Sequence, residues 1–235
     1  MLKSEKIQAL LSKTHYNFDD LCLILEILRG EGGCPWDAEQ THQSIRKNLI
    51  EETYEVIEAI DTDNSELMRE ELGDVLLQVV FHAQIERESN HFTIDDVAND
   101  VCAKLIHRHP HIFADVNANT SEEVLNNWEA IKNVEKSRNT TYDKLSSIPP
   151  MMPALMRAQK TSKKSGEYKS VSNSNIISEI KDIILSIEKT PESIDNTDIG
   201  ELLFAISTLC AKSDIDAEES LYIKTNAFIE KYKPN

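Results

Sequence analysis

The sequence predicts an all-α protein built from two helical units in tandem, and three observations carry that expectation. Apolar residues recur at three- and four-residue spacing over most of the chain. Glycine and proline number only 6 and 7 in 235 residues, and no segment shows a strong strand-like alternation. The chain also repeats itself. EELGDVLLQVVFHA (70–83) and TDIGELLFAISTLCA (197–211) agree at Leu72/Ile199, Gly73/Gly200, Asp74/Glu201 and Leu76/Leu203, and KLIHRH (104–109) falls over AFIEKY (227–232). The spacing places the tandem helices as bundles.

Taken in order, residues 18–29 form a first helix through Phe18, Leu21, Cys22, Leu25 and Leu28. GEGGCPWD (30–37) breaks it. A second helix runs from about Thr41 to Ile60 with Ile45, Leu49, Val56 and Ile60 inward, and TDNS ends it. Ser65 caps the next, which reaches Glu88 and buries Leu72, Val75, Leu76, Val79 and Val80. Thr93 caps a fourth helix, broken at RHPHIF, and Ser121 opens a fifth that carries Trp128 and Ile131. The proline-rich SSIPPMMP reads as part of a linker over 137–153, and SKKSGEYKSVSNSN (162–175) as flexible. Residues 1–136 are thus expected as one unit and 154–235 as a second.

A formal charge of −16 excludes a nucleic-acid polymer or an anionic membrane as the main partner, because both are repelled at long range. The four cysteines form no CxxC pair, the N-terminal segment is polar and mixed in charge, and no apolar run reaches membrane-spanning length. These features predict a cytoplasmic protein.

Glu51, Glu52 and Glu55 read as EExxE, and Glu71 and Asp74 as ExxD. Spacings of three and four put side chains on one helical face. Two facing carboxylate clusters repel unless a cation lies between them. EExxE alone is ordinary on a solvated helix. ExxD is more specific, since Asp74 adjoins VLLQVVF and so lies near an inner face, where a carboxylate needs a cation or a hydrogen-bond partner. Oxygen ligands on rigid helices suit magnesium, which in turn suits a polyphosphate.

No Walker loop and no GxGxxG is present, so basic side chains and metal would have to hold any phosphate. Lys104 and Arg108 stand one turn apart on the fourth helix, and Trp128 and Lys132 repeat that spacing on the fifth. Spacing alone equally allows surface charges and a core Trp. His107, His109 and His111 alternate through a proline-containing break, poor geometry for zinc. Cys34 reads as a small apolar residue and His82 as a core histidine.

CPWDAEQTHQSI, LIEETYEVIEAI, EELGDVLLQVVFHA, KLIHRHPHIF, NWEAIK and IPPMMPALMRAQK together resemble the two-repeat MazG nucleoside triphosphate pyrophosphohydrolases, densely to about residue 160 and dilutely beyond. The resemblance implies an all-α dimer that cleaves nucleoside triphosphates to monophosphate and pyrophosphate with Mg2+, for which Mn2+ is a substitute. It implies Glu52, Glu55, Glu71 and Asp74 as metal ligands, with Glu51 behind them or acting on the attacking water. Lys104, Arg108, Trp128 and Lys132 match the family's substrate contacts.

The second repeat departs from this pattern. Asp182, Ile183 and Ser186 stand where EExxE belongs, Asp198 and Glu201 replace ExxD, and Ala227 and Lys231 replace the basic pair. The sequence stops before a second W-x-x-x-K. Residues 154–235 are therefore expected to be a degenerate, truncated copy, with catalysis in the first. Two readings compete with a general pyrophosphohydrolase: an enzyme narrowed to one nucleotide class, and a weak or inactive helical dimer that binds nucleotide or a protein.

Overall fold

A computed structural model describes residues 3–136 and 138–234. Met1, Leu2, Ser137 and Asn235, which carry the outer ends of the expected units and the start of the expected linker, lie outside the described residues. Helices make up the fold, and no strand occurs among the described residues. The chain divides into two compact units, one ending at Val116 and one beginning at Asn117.

The first unit contains α1 (Lys3–Leu11), α2 (Phe18–Arg29), α3 (Pro35–Glu39), α4 (His42–Asp61), α5 (Ser65–Glu88), α6 (Ile94–Arg108) and α7 (Pro110–Phe113). The long helices start where side chains satisfy the free N–H groups of the first turn. Asn17 with Asp20, Thr41 with Ser44, and Thr93 with Asp96 form reciprocal capping boxes at α2, α4 and α6. The cap of α5 is Asn64 and not the expected Ser65: Asp63 turns the chain at φ 50°, and the Asn64 side chain accepts the Leu67 N–H at 3.1 Å. The 30–33 turn depends on glycine. Gly32 has φ +63°, and a Cβ on Gly33 would lie 2.2 Å from the Leu28 carbonyl oxygen. The stretch read as a loop nonetheless contains the start of α3, with Pro35 in its first turn, where a missing N–H costs nothing.

Leu25 of α2, Ile45 of α4, and Val80 and Phe81 of α5 form the core of this unit, with Leu21, Cys22, Ile24, Leu77, Ile85 and Ile94 packed around them. The expected inner face of α5 is corrected in part. Val80 is buried, but Leu72, Leu76 and Val79 are exposed, as is Ile60 on α4. The stripe that α5 buries runs instead through Glu71, Gln78, Phe81 and Ala83, because α2 and α4 cover one side of α5 and leave Leu72, Leu76 and Val79 as an uncovered apolar stripe.

The second unit contains α8 (Ser121–Glu135), α9 (Thr141–Ser146), α10 (Ala154–Ser165), α11 (Asn173–Lys189), α12 (Asn196–Lys212) and α13 (Ala217–Ile229). Helix α8, expected with the first unit, groups here. Within the stretch expected as a linker, α9 packs on α10. Much of the segment expected to be flexible is ordered: Ser162 is buried on α10, and α11 begins at Asn173. Helix α12 packs on α10 and α11 as α5 packs on α2 and α4, so the repeat seen in the sequence is a repeat of helix packing.

Candidate functional site

Helices α4 and α5 form an antiparallel hairpin joined by the 62–64 turn, so the middle of α4 faces the start of α5. That arrangement brings Glu52, Glu55 and Glu71 together, with one carboxylate oxygen of each within 4.8 Å of the others. Glu71 is buried, Glu52 half-buried and Glu55 exposed, so the group opens to solvent on one side. Partial burial raises the Glu52 pKa first, followed by a hydrogen bond with Glu55 and the charges of Asp74, Glu55 and Glu71. Burial likewise comes first in raising that of Glu71, followed by the charge of Glu55, a hydrogen bond with it, and the charges of Glu70 and Asp74. A cluster of carboxylates this close, which raise the pKa of Glu52 and Glu71, fits a divalent cation, and its all-oxygen donor set suits a hard one.

The other expected ligand, Asp74, stands outside this tight group. It lies half-buried one turn beyond Glu71, near enough for its charge to act on both Glu52 and Glu71. Glu51 is exposed on α4. Lys104 and Arg108 share one face of α6 but differ in environment: Lys104 is exposed, whereas Arg108 is buried at the helix end. Trp128 and Lys132 lie on α8, and the Lys132 Nζ sits 4.3 Å from the centroid of the Trp128 ring, a cation–π pair. In the second unit, Asp182, Ile183, Ser186, Asp198 and Glu201 line one open pocket of about 520 Å³ between α11 and α12, so the altered motifs occupy equivalent places. Among the described residues no second group of metal-holding side chains gathers as Glu52, Glu55 and Glu71 do. His109 and His111 stand with ring centroids 5.6 Å apart, tilted, and take no part in such a group.

Two polar assemblies around α5 were not foreseen from the sequence. Arg29, at the end of α2, donates to both carboxylate oxygens of Glu88 (2.9 and 2.7 Å) and to the carbonyls of Asp37 and Gln40 (2.5 and 3.1 Å), and lies over the Phe81 ring. It thereby ties the turn that leads into α4 to the end of α5. His82, read as a core histidine, instead meets His42 with Nδ1 atoms 2.7 Å apart and rings nearly parallel. His42 Nε2 lies 2.6 Å from Glu86, whose other oxygen lies 2.7 Å from His91 Nδ1. The i,i+4 spacing of His82 and Glu86 was a signal in the sequence. Their partner on α4 was not.

A model of the MazG nucleotide pyrophosphohydrolase domain matches residues 40–113, the span of α4 to α7 that holds the acidic residues together with Lys104 and Arg108. Over 220 residues the chain is 40% identical to the nucleoside triphosphate pyrophosphohydrolase/pyrophosphatase MazG of Thermotoga maritima, with 92% of this chain and 84% of that protein covered. Over 231 residues it is 37% identical to the nucleoside triphosphate pyrophosphohydrolase of Escherichia coli, covering 92% and 85%. The protein of that name in Mycolicibacterium smegmatis is 43% identical over 143 residues, 60% of this chain and 43% of that one.

Proposed function

The chain belongs to the MazG family and is a nucleoside triphosphate pyrophosphohydrolase; we propose that its first unit carries the reaction, using magnesium to release nucleoside monophosphate and pyrophosphate. The convergence of Glu52, Glu55 and Glu71 from two helices is the observation that supports this reading most. These three, with Asp74 beside them, would hold the ion, and manganese, similar in its preference for oxygen ligands, would substitute. When bound, the metal supplies Lewis-acid stabilisation of phosphate charge and activation of water.

The remaining roles fall to this chain's own side chains. Glu51 orients or deprotonates the attacking water. Lys104 binds phosphate oxygens from the solvent side. Arg108, in a low-dielectric setting, stabilises the charge that develops on pyrophosphate as it leaves. Trp128 and Lys132, on α8 of the second unit, pair an aromatic face with a cation, a combination suited to a base and a phosphate.

The degenerate repeat over residues 154–235 serves structure and not turnover, since an isoleucine and a serine cannot replace two anionic ligands at Ile183 and Ser186. The uncovered Leu72, Leu76 and Val79 stripe supports pairing of two copies into a homodimer. Four unbridged cysteines support a reducing, cytoplasmic setting, and among the described residues no helix is long and apolar enough to cross a membrane.

Comparison of Glu52→Gln with Asp198→Asn in the full chain tests which unit works. The first substitution abolishes turnover and the second leaves it at the wild-type level. The opposite result would move the reaction to the second unit.

A further inference from the structure

Away from the acidic cluster, His42 supplies the side-chain hydrogen bonds that join α4 to α5. It is the first residue of α4 and turns both ring nitrogens toward α5: Nδ1 to His82 Nδ1 at 2.7 Å and Nε2 to Glu86 Oε1 at 2.6 Å. Among the described residues, the ligand atoms of His42, His82, Glu86 and His91 do not gather into a group that could hold one ion, as those of Glu52, Glu55 and Glu71 do. Nor is His42 placed to touch what the carboxylates hold, since ten helical residues separate it from Glu52, about 15 Å of rise.

The bonds survive in two proton arrangements. Either His82 donates from Nδ1 to His42, which donates from Nε2 to Glu86, or a protonated His42 donates to both. Burial, with the charge of His42 second, lowers the His82 pKa.

Such contacts matter because apolar packing between helices is non-directional. The packing of Ile45 with Val80 and Phe81 is of that kind, whereas two directed bonds at the end of the seam fix the register. Gln78, the buried polar residue on α5 between Glu71 and His82, adds no lock through its Oε1, which has no partner. Metal ligands tolerate little displacement: workable sites hold their distances to within about 0.2 Å.

We propose that His42 is a positioning residue for the carboxylate cluster: by fixing the first turn of α4 against His82 and Glu86, it sets the register that brings Glu52 and Glu55 to Glu71. This rests on the reading of that cluster as the metal site, and the test separates the two.

Manganese binding to the metal-free full chain, without nucleotide, is measured by electron paramagnetic resonance beside thermal unfolding. Wild type binds, and Glu71→Gln does not. His42→Ala, and His82→Phe, which keeps a flat ring but no Nδ1, bind about tenfold more weakly or worse. Arg87→Ala removes the ion pair from the same end of α5 to Glu26 on α2, and it binds as wild type does. Wild-type affinity in both histidine variants overturns the inference, as does an equal loss in Arg87→Ala. If both histidine variants fail to fold, the contact is merely structural and the assignment is equally rejected. Absence of binding in wild type, or its persistence in Glu71→Gln, would instead sink the metal-site reading.

Discussion

Glu55 on α4 and Glu71 on α5 approach with carboxylate oxygens within 4.8 Å, and Glu55 helps to hold the Glu71 pKa up through both its charge and a hydrogen bond. Burial of Glu71 acts first and in the same direction. A folded pKa above the unfolded one makes a contribution to stability that is full below the unfolded value of about 4.3 and is lost as pH rises through the folded value. In chelator at neutral pH, Glu71→Gln is therefore expected to melt a few degrees above wild type, and the gap closes as pH falls below the ordinary carboxylate range. A neutral-pH melting point below that of wild type would contradict this account of the cluster.

Metal should reverse that order. An ion that binds only the folded chain stabilises it by about 2.7 kcal/mol at a hundredfold excess over its Kd. Thermal scans with magnesium or manganese should show this gain in wild type and its loss on chelation. Glu71→Gln should show no gain, and Asp74→Asn, which lies outside the three-carboxylate group, a reduced one.

Lys104 and Arg108 should separate in their effects because one is exposed and the other buried. Losing an exposed phosphate contact removes a charge-assisted hydrogen bond, so Lys104→Ala should raise KM about tenfold or more and leave the melting point unchanged. Arg108→Ala should lower kcat/KM and the melting point together, since burial makes the side chain part of the packing as well. Steady-state kinetics beside thermal unfolding distinguish the two, and identical profiles would argue against the assignment.

Arg29 predicts a stability effect away from the chemistry. Its side chain is almost wholly buried and satisfies Glu88 and two carbonyls at once. Glu88 remains partly exposed, which screens the pair, so Arg29→Met should cost about 2 kcal/mol in urea unfolding. A cost near zero would mean that the turn into α4 is held by Gly32 and Gly33 alone.

What the sequence made legible follows from the range of each signal. Glu52, Glu55 and Glu71 could be placed because three- and four-residue spacings are local, and the short 62–64 turn left only an antiparallel pairing of their helices. Thr93 was readable as a cap for the same reason, whereas Ser65 was displaced by Asn64 because both residue types cap well and only the backbone turn at Asp63 decides between them. Links such as His42 to His82 and Arg29 to Glu88 join residues forty and fifty-nine positions apart, and no periodicity encodes them. The apolar run of α5 was read as wholly inward because hydrophobicity reports that a face seeks cover, not which surface supplies it. That left Leu72, Leu76 and Val79 misplaced.

Phosphorus NMR of a nucleoside triphosphate incubated with the full chain and magnesium, beside Glu71→Gln, tests the central claim most directly. The account predicts pyrophosphate and nucleoside monophosphate in equal amounts from wild type and no reaction from the variant. Orthophosphate with nucleoside diphosphate, or unchanged turnover in Glu71→Gln, would contradict it.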